Sequence, residues 1–97
     1  MSNVFEVRDG TRRRIRLTRE RWRHITVKHP FMTNYLNNVE DTIKSPDKIV
    51  PREKGDISDY YKHYKHREGN LKFLKVVVKY LNSEGFIITS YFVKGIN

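Results

Sequence analysis

One side of a predicted helix places a histidine between two cations. At about 100° per residue, Arg21, His24 and Lys28 share one side of a helix that begins after Thr18. An imidazole beside cations can act as a general base on a phosphodiester, because the cations hold the phosphate charge. The alternative is an ordinary exposed histidine on a basic helix, and the spacing alone leaves both interpretations open.

A second histidine lies at the end of this helix, on its apolar side. His29 precedes Pro30, which disfavours helical geometry in the residue before it, so we expect the helix to end there. A histidine at this position can cap terminal carbonyls and pack against Trp22. The position favours that structural role, while acid–base chemistry beside His24 stays open.

Metal and thiol chemistry have little support in the sequence. The chain has no cysteine, which excludes disulfides, thiolate metal sites and a cysteine nucleophile. The step from His24 to His29 does not suit a helical metal pair, and no carboxylate pattern accompanies His63 and His66. We therefore expect neither a metal nor another cofactor.

The last two predicted strands offer lysines and tyrosines on one face. Alternation puts Lys75 with Lys79 and Thr89 with Tyr91, and part of the segment Tyr60–Tyr64 can join them if the helices cover the other face. Such a surface suits RNA, because rings stack on bases while lysines contact phosphates. The alternative is that tyrosines favour strands and lysines keep the face soluble.

The net charge indicates a polyanionic partner. Twenty lysines and arginines against eleven acidic residues give +9, with a pI near 10.0. A field of this sign favours nucleic acid or an anionic membrane surface. Eight of the ten arginines lie between Arg8 and Arg23. Arginine pairs with phosphate through a planar fork, so this crowding favours phosphate contact over a merely solvated basic face.

The order of the elements predicts an α+β protein. A β-hairpin with its turn at Asp9–Gly10 is followed by the first helix and by a second, whose apolar stripe is Met32, Leu36, Val39 and Ile43. Short links between the later strands favour antiparallel pairing. The prediction is an N-terminal hairpin, two helices and a four-stranded, mostly antiparallel sheet with strands at 48–50, 59–64, 71–81 and 86–93.

The length of the chain favours a single domain over residues 1–97. No apolar run approaches the about 18 residues of a membrane span, and the first residues lack the apolar core of a signal peptide. We expect a cytoplasmic protein with no membrane partner.

Three motifs in order carry a resemblance to a known group. These are RW-x-HI at 21–25, HP at 29–30 and TI-x-x-PD-x-I at 42–49. Together with downstream segments they resemble small phage-associated, toxin-like proteins of the barnase–EndoU–colicin–RelE-like nuclease group. The likeness covers about residues 13–94, and the downstream segments are Tyr60–Tyr64, Val76–Lys79 and Gly85–Phe92.

The resemblance implies a RelE- or barnase-like fold and a metal-independent endoribonuclease. In such enzymes the RNA 2′-hydroxyl attacks the adjacent phosphate and leaves a 2′,3′-cyclic phosphate. The resemblance implies His24 as the first acid–base residue, His29 as the second and Thr89 as a hydrogen-bond partner of the phosphate. The resemblance also implies that Lys79 and an arginine from Arg12–Arg16 stabilise the charge, and that Tyr61 or Tyr64 stacks on a base or shares proton transfer. The predicted nucleic-acid contacts are Arg12, Arg13, Arg14, Arg16, Arg21, Lys28, Tyr64, Lys75 and Tyr91.

Two functional hypotheses follow. The first is a toxin-like ribonuclease, for which an antitoxin or immunity protein is the expected protein partner. The second is a non-catalytic RNA- or DNA-binding module on the same scaffold. Both predict that binding depends steeply on salt, so only cleavage separates them.

Overall fold

A β-hairpin and a helical segment precede the later strands in residues 2–96, which the computed structural model describes. The first helix begins directly after Thr18, as predicted. The elements are β1 (Asn3–Arg8), β2 (Arg14–Thr18), α1 (Arg19–Lys28), a 3₁₀ helix (Pro30–Tyr35), α2 (Leu36–Lys44), β3 (Lys48–Pro51), β4 (Ile57–His63), β5 (Phe73–Leu81) and β6 (Glu84–Val93).

The described strands form one six-stranded mixed sheet in the order β1-β2-β6-β5-β4-β3. Neighbouring strands are antiparallel except β2 and β6, which run parallel. The prediction of a separate hairpin and a four-stranded, mostly antiparallel sheet of RelE- or barnase-like type is therefore wrong. The hairpin joins the later strands through β2 and extends the sheet by two strands.

A short turn before β6 explains this error. Glu84 and Gly85 have the composition of a turn, yet β5 ends at Leu81 and both residues belong to β6. They pair with Arg14 and Ile15 of β2. A Cβ on Gly85 would lie 2.5 Å from Ile15 Cδ1. Glycine at this position therefore leaves room for the Ile15 side chain of β2, and a residue type that suggests a loop serves a strand contact.

Substitution of Gly85 tests this contact. Gly85→Ala is expected to lower the free energy of unfolding by about 1–3 kcal/mol, as overpacked cores do. The added methyl would meet Ile15, Val78 and Tyr80 side chains at 2.5, 3.0 and 3.2 Å. The control is Gly10→Ala, whose Cβ would meet nothing within 4 Å. Urea denaturation measures both variants, and equal midpoints would contradict the proposed crowding at β2.

The core lies between the helical segment and one face of the sheet. The predicted apolar stripe supplies Met32, Val39 and Ile43, each 0% exposed. Met32 belongs to the 3₁₀ helix and α2 begins only at Leu36, so the predicted second helix is two elements. From the sheet, the core receives Ile15, Leu17, Tyr60, Leu74, Val76, Val78, Ile87 and Phe92.

The other face of the sheet carries the polar groups. Lys75 pairs with Tyr61 on one side and with Tyr91 on the other. Val77, two residues further along β5, pairs with Thr89. Lys79 follows on the same strand face. The register therefore places these groups together, as strand alternation predicted.

Candidate functional site

A cleft of about 540 Å³ lies between α1 and β6. Strand β2 pairs with β6 only as far as Phe86, and α1 contacts both strands. The cleft is thus framed by a helix on one side and the later part of a strand on the other. It is lined by Arg21, His24, Ile25, Val27, Lys28, His29, Ile88, Thr89 and Tyr91.

Local contacts orient α1 so that its basic side faces this cleft. The Thr18 hydroxyl accepts a hydrogen bond from the backbone N–H of Arg21 at 3.1 Å and caps the helix. Ile25, which also lines the cleft, is 2% exposed and anchors α1 in the core. With the helix fixed at its start and along its buried side, His24 lies exposed in the cleft beside Arg21 and Lys28.

The second histidine reaches the same cleft from the end of the helix. His29 is the C-cap residue, and its backbone N–H donates to Ile25 O at 2.7 Å. Its dihedral angles, φ −128° and ψ 78°, leave helical geometry. The ring stacks on Tyr91 with centroids 5.2 Å apart and contacts Phe31 edge-on at 5.9 Å. Tyr91 is thus its ring partner, where the sequence predicted Trp22.

A bulge in β6 shapes the far wall of the cleft. Val77 pairs with Thr89, but Val78 pairs with Ile87, so Ile88 is an extra residue in β6. Both Ile88 and Thr89 line the cleft. β-Bulges bend a strand and re-aim its side chains, and they recur next to active sites. The bulge is the feature by which both Ile88 and Thr89 of β6 line the cleft.

On the sheet face away from the helices, Tyr91 is the first of a series of aromatic and charged side chains in contact with one another. The Lys75 ammonium lies 5.6 Å from the Tyr91 ring centroid and 5.9 Å from that of Tyr61. It is also 3.9 Å from Asp59, which Arg52 binds through two hydrogen bonds of 2.9 and 3.1 Å. Lys75 therefore contacts the Tyr91 ring but does not itself line the cleft. Tyr61 is 2% exposed, so its ring face does not meet a base.

A second cavity of about 400 Å³ adjoins the cleft and shares Arg21 and Ile88 with it. Lys79 and Arg16 line this cavity. Arg16 donates to Glu84, and its Nε lies 3.5 Å from Glu6, so two carboxylates already compensate its charge. Lys79 is exposed and, among the described residues, has no carboxylate partner, unlike Arg16.

The hairpin distributes the arginines that lie close together in sequence. Arg12 and Arg13 lie at the β1–β2 turn, with the Arg13 guanidinium 4.2 Å from the Tyr80 ring centroid. Arg14 pairs with Glu6 at 3.3 Å. None of these three lines the cleft. Of the five arginines predicted to bind nucleic acid, Arg21 is the one at the cleft.

Tyr64 lies on the opposite face of the sheet, under α2. Its hydroxyl donates to Asp41 at 2.9 Å, and its ring contacts Phe92 edge-on at 6.4 Å. Burial, together with the hydrogen bond to Asp41, raises the pKa of Tyr64 to about 12. Tyr64 is therefore a protonated phenol with a structural role. It lies away from Arg21, Lys28 and Tyr91, the cleft residues with which it was predicted to bind nucleic acid.

Sequence reasoning missed the apolar rim of the cleft. Val27 is 74% exposed and lines the cleft, and Phe31 is 48% exposed beside His29. Both side chains leave apolar surface exposed at or beside the cleft. A signal was present, since Val27 and Phe31 flank the HP motif.

Under the RNA-binding hypothesis from the sequence, Arg21 is expected to contribute more to the affinity than its neighbours. Arg21→Ala should weaken binding and lower the slope of log affinity against log salt by about 0.7–1, as the loss of one phosphate contact does. Arg16→Ala should have a smaller effect because Glu6 and Glu84 already hold that guanidinium. Fluorescence anisotropy of a labelled single-stranded RNA at several salt concentrations measures both.

The matched control for Arg21 is Arg23→Ala, which removes an exposed arginine from the same helix. Equal losses of affinity in all three variants would indicate diffuse charge attraction and no defined phosphate site.

Within residues 2–96, His, Cys, Asp and Glu side chains nowhere gather in groups of three or more suited to hold a metal ion. In the same range, no helix combines the length and apolar character needed to cross a membrane.

Comparison of the chain with protein-family models, with curated proteins and with solved structures finds no match.

Proposed function

We propose that this protein is an endoribonuclease in which His24 and His29 form the acid–base pair. The observation that carries the proposal is that both imidazoles line one cleft together with Arg21, Lys28 and Thr89. RNA cleavage by its own 2′-hydroxyl needs one group to take a proton and another to give one. Two histidines at one cleft can supply both.

The reaction follows from these groups. One imidazole removes the proton of the 2′-hydroxyl, whose oxygen then attacks the adjacent phosphorus. The bond to the 5′-oxygen breaks, and the second imidazolium gives that oxygen a proton. The products are a 2′,3′-cyclic phosphate and a 5′-hydroxyl end, so protons and electron pairs balance without another reactant.

The cations and the hydroxyl of the cleft suit the charge that develops on phosphorus. Arg21 and Lys28 lie on the same side of α1 as His24, and Thr89 lines the cleft from β6. Preorganised donors of this kind stabilise a developing oxyanion because they need no rearrangement during reaction. Tyr91 acts as a positioning residue, since its ring stacks on His29.

The sequence resembles small toxin-like nucleases, so we also propose a protein partner, an antitoxin or immunity protein. Its surface would be acidic and would cover the basic cleft. No carboxylate lines this cleft among the described residues, so an acidic partner would meet uncompensated cations there.

The decisive experiment incubates the purified protein with a short RNA in EDTA and identifies the product ends by mass spectrometry. The expected result is cleavage that leaves a cyclic phosphate, and no cleavage where the nucleotide before the cut carries a 2′-O-methyl group. Cleavage of that blocked substrate, or of DNA, would contradict attack by the 2′-hydroxyl.

A second candidate function is a non-catalytic RNA-binding module. The observation in its favour is the stacking of His29 on Tyr91, because this contact gives the ring a packing role without chemistry. RNA binding without cleavage in the same experiment would select this function. Arg21 and Lys28 would then serve as phosphate contacts only.

A further inference from the structure

A second groove, of about 500 Å³, lies away from the cleft, at the end of β4 and β6. Its size falls within the roughly 300–1,000 Å³ of pockets that hold small ligands. Phe92 lines this groove, while its neighbour Tyr91 lines the cleft. Successive residues of a strand point to opposite faces, so the two sites lie on different sides of β6.

The sequence run Lys62–Arg67 forms one wall of this groove. It is the most basic segment of the later chain, KHYKHR, and the cleft uses none of it. Lys62 is engaged, since its ammonium donates to Ser45 O at 2.7 Å and lies 3.7 Å from Asp41. Lys65 and His66 are exposed, and no carboxylate is among the described residues that line the groove.

Aromatic rings and a guanidinium plane form the other surface of the groove. The Arg67 guanidinium carbon lies 3.7 Å from the Phe92 ring centroid and 5.4 Å from that of Tyr35. The Tyr35 and Phe92 rings meet edge-on with centroids 5.0 Å apart. Phe92 is 5% exposed and Arg67 covers its ring, so a planar base entering here would stack on the half-buried Arg67 guanidinium plane and Tyr35 ring, as bases do in single-strand binding sites.

The loop that carries the cations is held in place. Tyr64 N–H donates to Lys72 O at 2.7 Å, and Arg67 N–H donates to Tyr64 O at 3.0 Å. The Arg67 side chain also donates to Leu71 O at 2.6 Å. Because these bonds fix the loop against the end of β5, a ligand meets a wall that is already formed, which lowers the ordering cost of binding.

We propose that this groove binds one nucleotide unit of a single-stranded RNA, with the base against Tyr35 and the Arg67–Phe92 stack and the phosphate at Lys65 and His66. An aromatic surface beside the exposed Lys65 ammonium and His66 ring matches a base that carries a phosphate, whereas an acidic peptide would leave the aromatic rings without a stacking partner. Binding in the groove does not depend on cleavage in the cleft, because no residue lines both sites.

The test is an NMR titration of ¹⁵N-labelled His24→Ala protein with adenosine 5′-monophosphate. Saturable shifts of the backbone amides of residues 62–67 are expected. Adenosine, which lacks the phosphate, and ribose 5-phosphate, which lacks the base, should each bind about tenfold or more weakly, since each loses one of the two contacts. A tetranucleotide should bind more tightly than the monophosphate, and equal affinities would overturn the assignment of the groove to a single-stranded RNA.

The matched variant is Lys65→Ser/His66→Ser in the same background, because both residues are exposed and their loss spares the fold. It should weaken binding about tenfold or more, while an unchanged spectrum elsewhere shows that the protein is folded. Shifts confined to α1 and residues 88–91 would overturn the proposal, and so would ribose 5-phosphate binding as tightly as the monophosphate. Since only binding is measured, a protein that does not cleave RNA can still pass or fail this test.

Discussion

Replacement of His24 by alanine is expected to lower the rate of RNA cleavage by about 10²–10⁴-fold, the usual contribution of a general acid or base. His24 is exposed in the cleft and no hydrogen bond of the fold involves its side chain among the described residues, so the variant should fold and bind RNA normally. Single-turnover cleavage measures the loss, and anisotropy at the same salt measures binding.

His29→Ala should lower the rate by a similar factor, and the double variant should lose little more, because an acid and a base in one step do not act additively. Arg23→Ala removes a side chain from the same helix that does not line the cleft, and it controls for changes to α1. If His24→Ala cleaved at the wild-type rate, another group would be the base. The assignment of the α1 cleft would then be wrong.

The sequence is sufficient to place His24 but not His29. Helical spacing and the Thr18 cap determine which side of α1 carries His24, and both are local. The same spacing puts His29 on the apolar side. The structure differs because His29 leaves helical geometry before Pro30, and its ring turns toward Tyr91, a residue far along the chain. A helical projection does not apply to a residue at which the helix has ended.

The arginine cluster shows a second limit of sequence analysis. Its members are close in sequence, but the hairpin gives them different environments, and Arg16 meets Glu84, sixty-eight residues away. Crowding in sequence therefore overstates the positive charge available to a phosphate. The strand alternation of Lys75, Lys79 and Tyr91 was predictable, since it depends on one strand at a time. The parallel contact of β2 with β6 and the bulge at Ile88 depend on pairing between distant strands, which local patterns do not encode.

A buried hydrogen-bond chain ties the first turn to the centre of the sheet. Asp9 is 5% exposed, and one of its oxygens accepts bonds from the N–H groups of Thr11 and Arg13 and from the Thr11 hydroxyl. The other accepts the Tyr60 hydroxyl proton at 2.5 Å. Because that proton is used, Tyr80 donates to the Tyr60 oxygen, also at 2.5 Å. This chain joins the β1–β2 turn to β4 and β5.

Asp9→Ala is expected to lower the free energy of unfolding by about 1–3 kcal/mol, since it removes a buried charged acceptor to which Tyr60, Thr11 and Arg13 donate. Tyr60 is 0% exposed, so its hydroxyl has no access to solvent and keeps Tyr80 as its partner. Asp56→Asn, at an exposed carboxylate, is the control and should change stability little. Urea denaturation at neutral pH measures both variants, and a small effect at Asp9 would mean that the turn is not coupled to the sheet.

The same carboxylate makes stability depend on pH in a predictable direction. Burial acts to raise the pKa of Asp9, but the hydrogen bonds from Tyr60, Thr11 and Arg13 outweigh it, and the pKa lies below its ordinary value of 3.8. Between the folded pKa and that ordinary value, the unfolded chain binds more protons than the folded one. The contribution of Asp9 is therefore complete above the unfolded pKa and is lost as the pH falls through the folded pKa. Asp9→Asn should flatten this part of the stability curve, measured by urea denaturation from neutral pH downward. An equally steep acid loss in Asp9→Asn would assign the acid sensitivity to other carboxylates.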